Sequence, residues 1–208
     1  MKILIADDHA IVRKGLSNIL QGEFSGLELA EACNSAETIN KTRKNNWDLI
    51  LLDISMPGRS GLETLKQMRV DGVKTPILML SMHPEDQYAL RVLKAGASGF
   101  VNKDAATDEL IKAVHKVMTG RKYISAATAD KLAESMDNNG DSPSHENLSD
   151  RELQVLELIG SGKTVSEIGK ELSLCVNTIS TYRARILEKL HLKNNAELTR
   201  YALDNVLV

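Results

Sequence analysis

Residues Leu49-Ile50-Leu51-Leu52-Asp53 make an unbroken apolar run that ends on a carboxylate, and Met56-Pro57-Gly58 breaks the chain directly afterwards. An amphipathic helix or a half-exposed strand would carry polar residues inside such a run. A strand covered on both faces of a parallel sheet does not. That kind of strand hands its last side chain to the carboxyl edge of the sheet, where α/β proteins gather their chemistry. The run therefore predicts a fold built around Asp53.

The first 120 residues repeat the pattern. Apolar runs at Lys2–Ala6, Leu27–Cys33, Leu49–Asp53, Pro76–Leu80 and Gly99–Val101 alternate with helical patterns near 10–21, 35–45, 61–70, 85–95 and 106–118. Ile11, Val12, Leu16, Ile19 and Leu20 follow helical spacing in the first of these, as do Leu110, Ile111, Val114, Val117 and Met118 in the last. Gly72, Gly96 and Gly120 fall where helices would end. Five β–α repeats with short connections predict right-handed crossovers and a flavodoxin-like (βα)5 domain over residues 1–120, with parallel strands in the order 2-1-3-4-5.

Residues 121–146 read as a linker. Its clearest part is the polar, turn-rich stretch 137–147, and a boundary helix fits over about 125–136. From 147 to 208 come four helical patterns, near 150–160, 164–172, 176–190 and 195–205, with no strand. Ser149 and Glu152 have the spacing of a capping box, serine as N-cap and glutamate at the third helical position. A small four-helix all-α domain is expected.

Composition excludes several classes. Aromatics at 3% are too sparse for a base-stacking platform, and no apolar run approaches the ~20 residues of a membrane helix. The opening Met1-Lys2-Ile3-Leu4-Ile5-Ala6-Asp7-Asp8 turns acidic too soon for a signal peptide. Cys33 and Cys175 are too far apart to make a disulfide framework or a metal knuckle. A cytoplasmic protein with no membrane partner is expected. The net charge of -2 conceals a local imbalance: Leu174 to Lys193 holds Arg183, Arg185, Lys189 and Lys193 against Glu188. Local basic charge of this kind reads as a binding face.

Asp7 and Asp8 close the first strand and Asp53 the third, and in the expected order those strands are neighbours. Carboxylates so close need either a raised pKa or a cation. Hard oxygen ligands suit Mg²⁺, which binds through few carboxylates and keeps positions for water and phosphate oxygens. An aspartate after a strand also often caps the next helix, and Asp8 alone would need no further role. Ser81 and Lys103 follow the fourth and fifth strands at the same edge, so a hydroxyl and an ammonium are available to phosphoryl oxygens on Asp53.

Asp7-Asp8-His9, Asp53 through Gly58, Ser81, and Gly96-Ala97-Ser98-Gly99-Phe100-Val101-Asn102-Lys103 together resemble a bacterial response-regulator receiver domain over about residues 1–120. The resemblance implies that Asp53 accepts a phosphoryl group from a histidine kinase. It implies that Asp7, Asp8, Asp53 and the backbone carbonyl of Ser55 hold Mg²⁺, that Lys103 pairs with the phosphate, and that Ser81 moves to hydrogen-bond it. Phe100 matches the aromatic that swings inward as Ser81 moves. Asp104 stands where many receivers have proline, and Phe100 lacks a tyrosine hydroxyl, so a switch there works by packing alone. Ser55 and His83 lie beside the site, in positions to tune how long the phosphoryl group lasts.

In the second half, Thr164 to Leu172, a short break, and Val176 to Leu190 give helix, tight turn and longer helix. Ile179, Tyr182, Ile186 and Leu190 share one face of the longer helix. Asn177, Ser180, Thr181, Ala184 and Glu188 share the other, with Arg185 on its flank. Small polar residues permit close approach to a groove, and marginal arginines reach phosphates. Residues 147–208 resemble the LuxR/NarL-type DNA-binding domain. That resemblance implies a recognition helix over 176–190, contacting DNA through Asn177, Thr178, Ser180, Thr181, Arg183, Ala184, Arg185 and Lys189, and a last helix that pairs two domains. Relatives often have lysine where Ser180 and Ala184 stand.

The combined expectation is a response regulator of the NarL/FixJ type and not an enzyme, beyond its own phosphoryl acceptance and autodephosphorylation. Its expected partners are a cognate histidine kinase, double-stranded promoter DNA, RNA polymerase and a second copy of the chain. The competing enzyme class, a phosphatase with an aspartate nucleophile, needs a general acid near that nucleophile, commonly an aspartate two residues on; serine occupies position 55. A third reading is a degenerate receiver regulated by partner proteins; loss of any of Asp7, Asp8, Asp53 or Lys103 would favour it, and all four are present.

Overall fold

Each apolar run of the first half forms a strand: β1 (Lys2–Ala6), β2 (Glu28–Ala32), β3 (Leu49–Asp53), β4 (Ile77–Ser81) and β5 (Gly99–Asn102). A computed structural model of the chain describes residues 1–82, 85–104, 107–125, 129, 145–205 and 207–208. The strands pair in parallel in the order β2-β1-β3-β4-β5. β3 is central, with Leu4 opposite Ile50 on one side and Asp53 opposite Leu80 on the other. All five of its residues are buried, which explains a run without polar interruption.

The helices between are α1 (Ala10–Glu23), α2 (Ser35–Lys44), α3 (Gly61–Val70), α4 (Glu85–Lys94) and α5 (Thr107–Met118). Side chains alternate across a strand. Ile3, Ile5, Leu49, Leu51, Leu78 and Leu80 accordingly pack with Leu20 of α1 and with Leu110, Val114 and Val117 of α5. Leu4, Ile50, Leu52, Ile77, Met79 and Phe100 lie on the other face and are equally buried. Burying one such side chain is worth roughly 1.5–3 kcal/mol. Two dry faces hold the sheet rigid and leave its carboxyl edge as the place where polar groups meet.

The chain divides into two compact units, Met1–Asn138 and Asn139–Val208. In the first, the segment after α5 returns to the sheet. Tyr123 donates its amide to Ser98 O at 2.9 Å and accepts from the Phe100 amide at 3.2 Å, forming a parallel bridge with Gly99. Gly99 has to be glycine for this approach, because a β-carbon there would lie 2.6 Å from Tyr123 O. The edge of β5 is thereby partly covered by residues that the sequence assigns to the linker. The helix expected over about 125–136, most of the stretch 137–147, and His83 lie outside the described residues.

The second unit opens with a 3₁₀ turn at His145–Asn147 and continues as α6 (Asp150–Gly160), α7 (Val165–Leu172), α8 (Val176–Lys189) and α9 (Asn195–Asp204). Ser149 and Glu152 form the expected capping box on α6, and Thr164 and Glu167 form another on α7. Ser173 adopts the left-handed conformation at φ 55 and ends α7, while the Leu174 amide donates to Gly169 O at 2.8 Å. This tight turn sets α8 against α7. Leu153, Leu156, Ile168, Ile179, Ile186, Leu198 and Ala202 bury between the four helices.

Candidate functional site

Four strand ends converge on the acidic crevice. Asp7 follows β1 and Asp8 comes next; Asp53 ends β3, Ser81 ends β4, and Lys103 follows β5. The backbone continues to pair beyond the strands and fixes these positions: the Asp7 amide donates to Ala32 O at 3.1 Å, Ile54 to Leu80 O at 2.9 Å, and Lys103 to Ser81 O at 2.7 Å. The Asp104 amide, which a proline would lack, donates to Asn102 Oδ1 at 2.8 Å and shapes the turn after β5.

The Lys103 ammonium lies 2.6 Å from Asp7 Oδ2 and 2.8 Å from Asp53 Oδ2, with side-chain exposures of 7%, 0% and 1%. Ser55 donates its amide to Asp53 Oδ1 at 3.2 Å, and His9 donates its own to Asp7 Oδ1 at 2.7 Å. His9 Nδ1 lies 3.0 Å from Asp8 Oδ1. Burial raises the Asp53 carboxyl above the ordinary aspartate value, against the pull of the Lys103 charge. Burial acts on Lys103 in the opposite sense, but Asp53 and Asp7 outweigh it and hold the ammonium above the ordinary lysine value. Lys103 therefore carries its charge at neutral pH.

The donor set fits a small hard cation. Single ligand atoms of Asp7, Asp8, His9 and Asp53 all lie within 4.8 Å of one another. Asp7 Oδ2, Asp8 Oδ1 and Asp53 Oδ2 are buried; Lys103 meets the first and third as ion pairs, and His9 Nδ1 lies beside the second. These oxygens keep acceptor capacity for a further ligand, and carboxylate oxygen suits Mg²⁺. Ser81 is fully buried at its strand end, and Phe100 is 1% exposed.

Two contributors were not singled out by sequence. Gly61 begins α3 against the end of β3, where a β-carbon would lie 1.8 Å from Asp53 O. Its sequence signal was a glycine in a helical first turn with no local reason to be there. Arg13 donates to Asp7 O at 2.8 Å and to Glu31 Oε2 at 2.8 Å, tying the turn after β1 to β2. Nothing local in the sequence marks that bond.

In the second unit, α8 buries Ile179 and Ile186 and leaves Asn177, Ser180, Thr181, Ala184, Arg185 and Glu188 exposed. Four residues of the expected contact set are engaged within the domain, among them Thr181, whose hydroxyl donates to Asn177 O. Arg183 donates to Asn195 Oδ1, and Thr178 Oγ1 lies 2.9 Å from Cys175 Sγ. The Lys189 ammonium donates to Glu152 Oε2 at 2.7 Å, where Glu152 is only 3% exposed.

Comparison with known proteins agrees with both geometries. Residues 3–115 match the response regulator receiver domain, and residues 146–202 match the bacterial regulatory proteins of the luxR family. Response regulator UvrY of Escherichia coli (strain K12) is 34% identical, over 100% of this chain and 95% of UvrY. Oxygen regulatory protein NreC of Staphylococcus carnosus is 36% identical, over 100% of this chain and 99% of NreC. Among solved structures, RcsB of Salmonella enterica serovar Typhimurium, bound to promoter rprA with phosphomimetic BeF3-, aligns at a TM-score of 0.67 with 28% identity, covering 97% of each chain.

Proposed function

The chain belongs to the response regulators of the NarL/FixJ type, transcription factors that join a receiver domain to a luxR-family DNA-binding domain, and from that premise we propose that phosphorylation of Asp53 controls its binding to promoter DNA. The observation that carries this reading is the buried contact of Lys103 with Asp53 and Asp7, beside carboxylate oxygens that still have acceptor capacity. In this reading residues 1–120 form the phosphoacceptor domain, 121–146 the linker and 147–208 the DNA-binding domain.

Asp7, Asp8, Asp53 and the backbone carbonyl of Ser55 would hold Mg²⁺, which when bound supplies positive charge against the oxygens of a transferring phosphoryl group. An Asp53 carboxylate oxygen attacks phosphorus on a phosphohistidine of the cognate kinase. A P–O bond forms as the P–N bond breaks, and the imidazole nitrogen leaves with the electron pair. Lys103, already charged and desolvated, neutralises the added oxygens without reorganisation. Ser81 donates its hydroxyl to one of them. Phe100 packs inward as Ser81 moves, and its outward position belongs to the unphosphorylated ensemble. The domain is not otherwise an enzyme: water returns Asp53 to the carboxylate by hydrolysing the acyl phosphate.

Phosphorylation then favours a homodimer, in which α9 pairs two DNA-binding domains and α8 enters the major groove. RNA polymerase is a further partner at the promoter, and the cytoplasm is where the kinase and the DNA meet this protein. Gel-shift titration of a promoter fragment tests the reading. Phosphodonor treatment should tighten binding by wild type and not by Asp53→Ala, while Thr181→Ala with Arg185→Ala should weaken the shift and leave phosphorylation intact. Equal binding by treated and untreated wild type would overturn the coupling.

A further inference from the structure

The outward face of α8 offers fewer free hydrogen-bonding groups than its sequence suggests. Thr181 is exposed, but its hydroxyl turns back along the helix and donates to Asn177 O at 2.9 Å. What it presents to solvent is its γ-methyl. Ala184 offers a methyl and nothing else, and the helical repeat puts it within about 20° of Asn177, near the centre of the exposed face. At the start of the helix Val176 is 47% exposed. One of its methyls, Cγ2, lies 3.9 Å from where a Gly169 β-carbon would stand.

The cations are equally informative. Bidentate reading of guanine needs an arginine or lysine with its donors free. Of the three cations on α8, Arg183 is tethered through its Nε to Asn195, which fixes where its guanidinium can reach, and Lys189 is held by Glu152. Arg185 remains, on the flank. An exposed valine taken singly is ordinary surface. Two methyl-bearing side chains on the exposed face, a half-exposed valine beside it at the first helical position, and two of three cations bonded inside the domain are a different situation. The thymine 5-methyl is the apolar feature that a base pair shows in the major groove.

We propose that α8 reads its DNA site chiefly by packing Val176, Thr181 and Ala184 against thymine methyl groups, with Asn177 and Arg185 supplying the polar contacts. The proposal rests on the reading of α8 as the helix that enters the groove. It makes the preferred half-site rich in thymine at adjacent positions and poor in guanine contacts.

The test uses full-length protein treated with a phosphodonor. Bound duplexes are selected from a random pool, and each thymine of the preferred sequence is then replaced by deoxyuridine, which removes the methyl alone. Each contacted position should lose about 3- to 5-fold in affinity, the worth of one buried methyl group. Thr181→Ser deletes the γ-methyl and keeps the hydroxyl bond to Asn177, so it should weaken binding to the thymine duplex by a similar factor. It should also lose its sensitivity to deoxyuridine at one position. Val176→Thr, of the same shape, should do so at another. Wild type that binds deoxyuridine duplexes as tightly as thymine ones, or selected sites centred on guanine, would overturn the methyl reading and leave the helix assignment standing. If no duplex is enriched, α8 is not a DNA reader and both readings fall. Variants that keep full deoxyuridine sensitivity at every position remove Thr181 and Val176 from the contact set and overturn the proposal as stated.

Discussion

Lys103 holds its ammonium 2.8 Å from Asp53 Oδ2, with both side chains buried at the carboxyl edge of the sheet. The pair joins the ends of β3 and β5, although those strands are not neighbours; β4 lies between them. A charged group reaching across an intervening strand end can report a change at Asp53 to β5, and so to Phe100 and Tyr123.

Lys103→Met keeps the length of the side chain and removes its charge. Asp7 and Asp53 then lose their buried counter-charge, and stability of the first unit should fall by about 2–3 kcal/mol at neutral pH, less than for a fully enclosed pair because Asp8 opens the crevice to solvent. Burial already raises the Asp53 carboxyl, and without Lys103 it rises further. The folded state then binds a proton more readily than the unfolded chain, so the deficit should shrink as pH falls. Trp47, the single tryptophan, reports this unit in urea titrations. An unchanged midpoint at neutral pH would count against the ion-pair account.

Gly61→Ala probes the fit between α3 and the end of β3. A β-carbon 1.8 Å from Asp53 O cannot be accommodated without moving the strand end. A loss of about 3 kcal/mol is expected from such overpacking, together with slower phosphorylation of Asp53. Wild-type stability and phosphorylation rate in this variant would show that α3 shifts freely and that the contact does not position Asp53.

Gly99→Ala should separate Tyr123 from β5, since the added carbon would lie 2.6 Å from Tyr123 O. The Phe100 amide, which donates to that carbonyl, should exchange with deuterium markedly faster, while amides of β1 and β3 keep their protection. Uniform protection across β5 would mean that the Tyr123 bridge is dispensable.

How legible all this was depends on the range of the interaction. β1 and β3 have the bounds that their apolar runs predict, and α3 spans 61–70 as its periodicity predicts, because burial on both faces leaves its mark on consecutive residues. Asp7, Asp8, Asp53 and Lys103 were readable because strand ends are readable, and parallel topology brings those ends together. The Ser149–Glu152 box was legible because its partners are three residues apart. Lys189 and Glu152 are 37 residues apart, and no local pattern says that a lysine on a basic helix is paired within its own domain. Tyr123 looked like linker because a single bridging residue has no run to announce it. Asp104 stands out only as the absence of a proline, whereas its amide has a defined partner in Asn102.

Lys189→Met tests that pairing. Glu152 is buried, and burial would raise its carboxyl, but the Lys189 ammonium and the Ser149 cap outweigh this and hold it below the ordinary glutamate value. Its contribution is therefore present above the ordinary value and lost as pH falls through the depressed one. The variant should destabilise the second unit by about 1–2 kcal/mol near neutral pH, with the difference from wild type narrowing in acid. Loss of DNA affinity with no loss of stability would instead make Lys189 a phosphate contact.

The central claim is that Asp53 is a phosphoryl acceptor, and intact-mass measurement tests it most directly. Wild type incubated with acetyl phosphate and Mg²⁺ should gain the mass of a single phosphoryl group, lose it to hydroxylamine as an acyl phosphate does, and gain none as Asp53→Ala. A wild type that stays unmodified, or an Asp53→Ala protein that gains the same mass, contradicts the account.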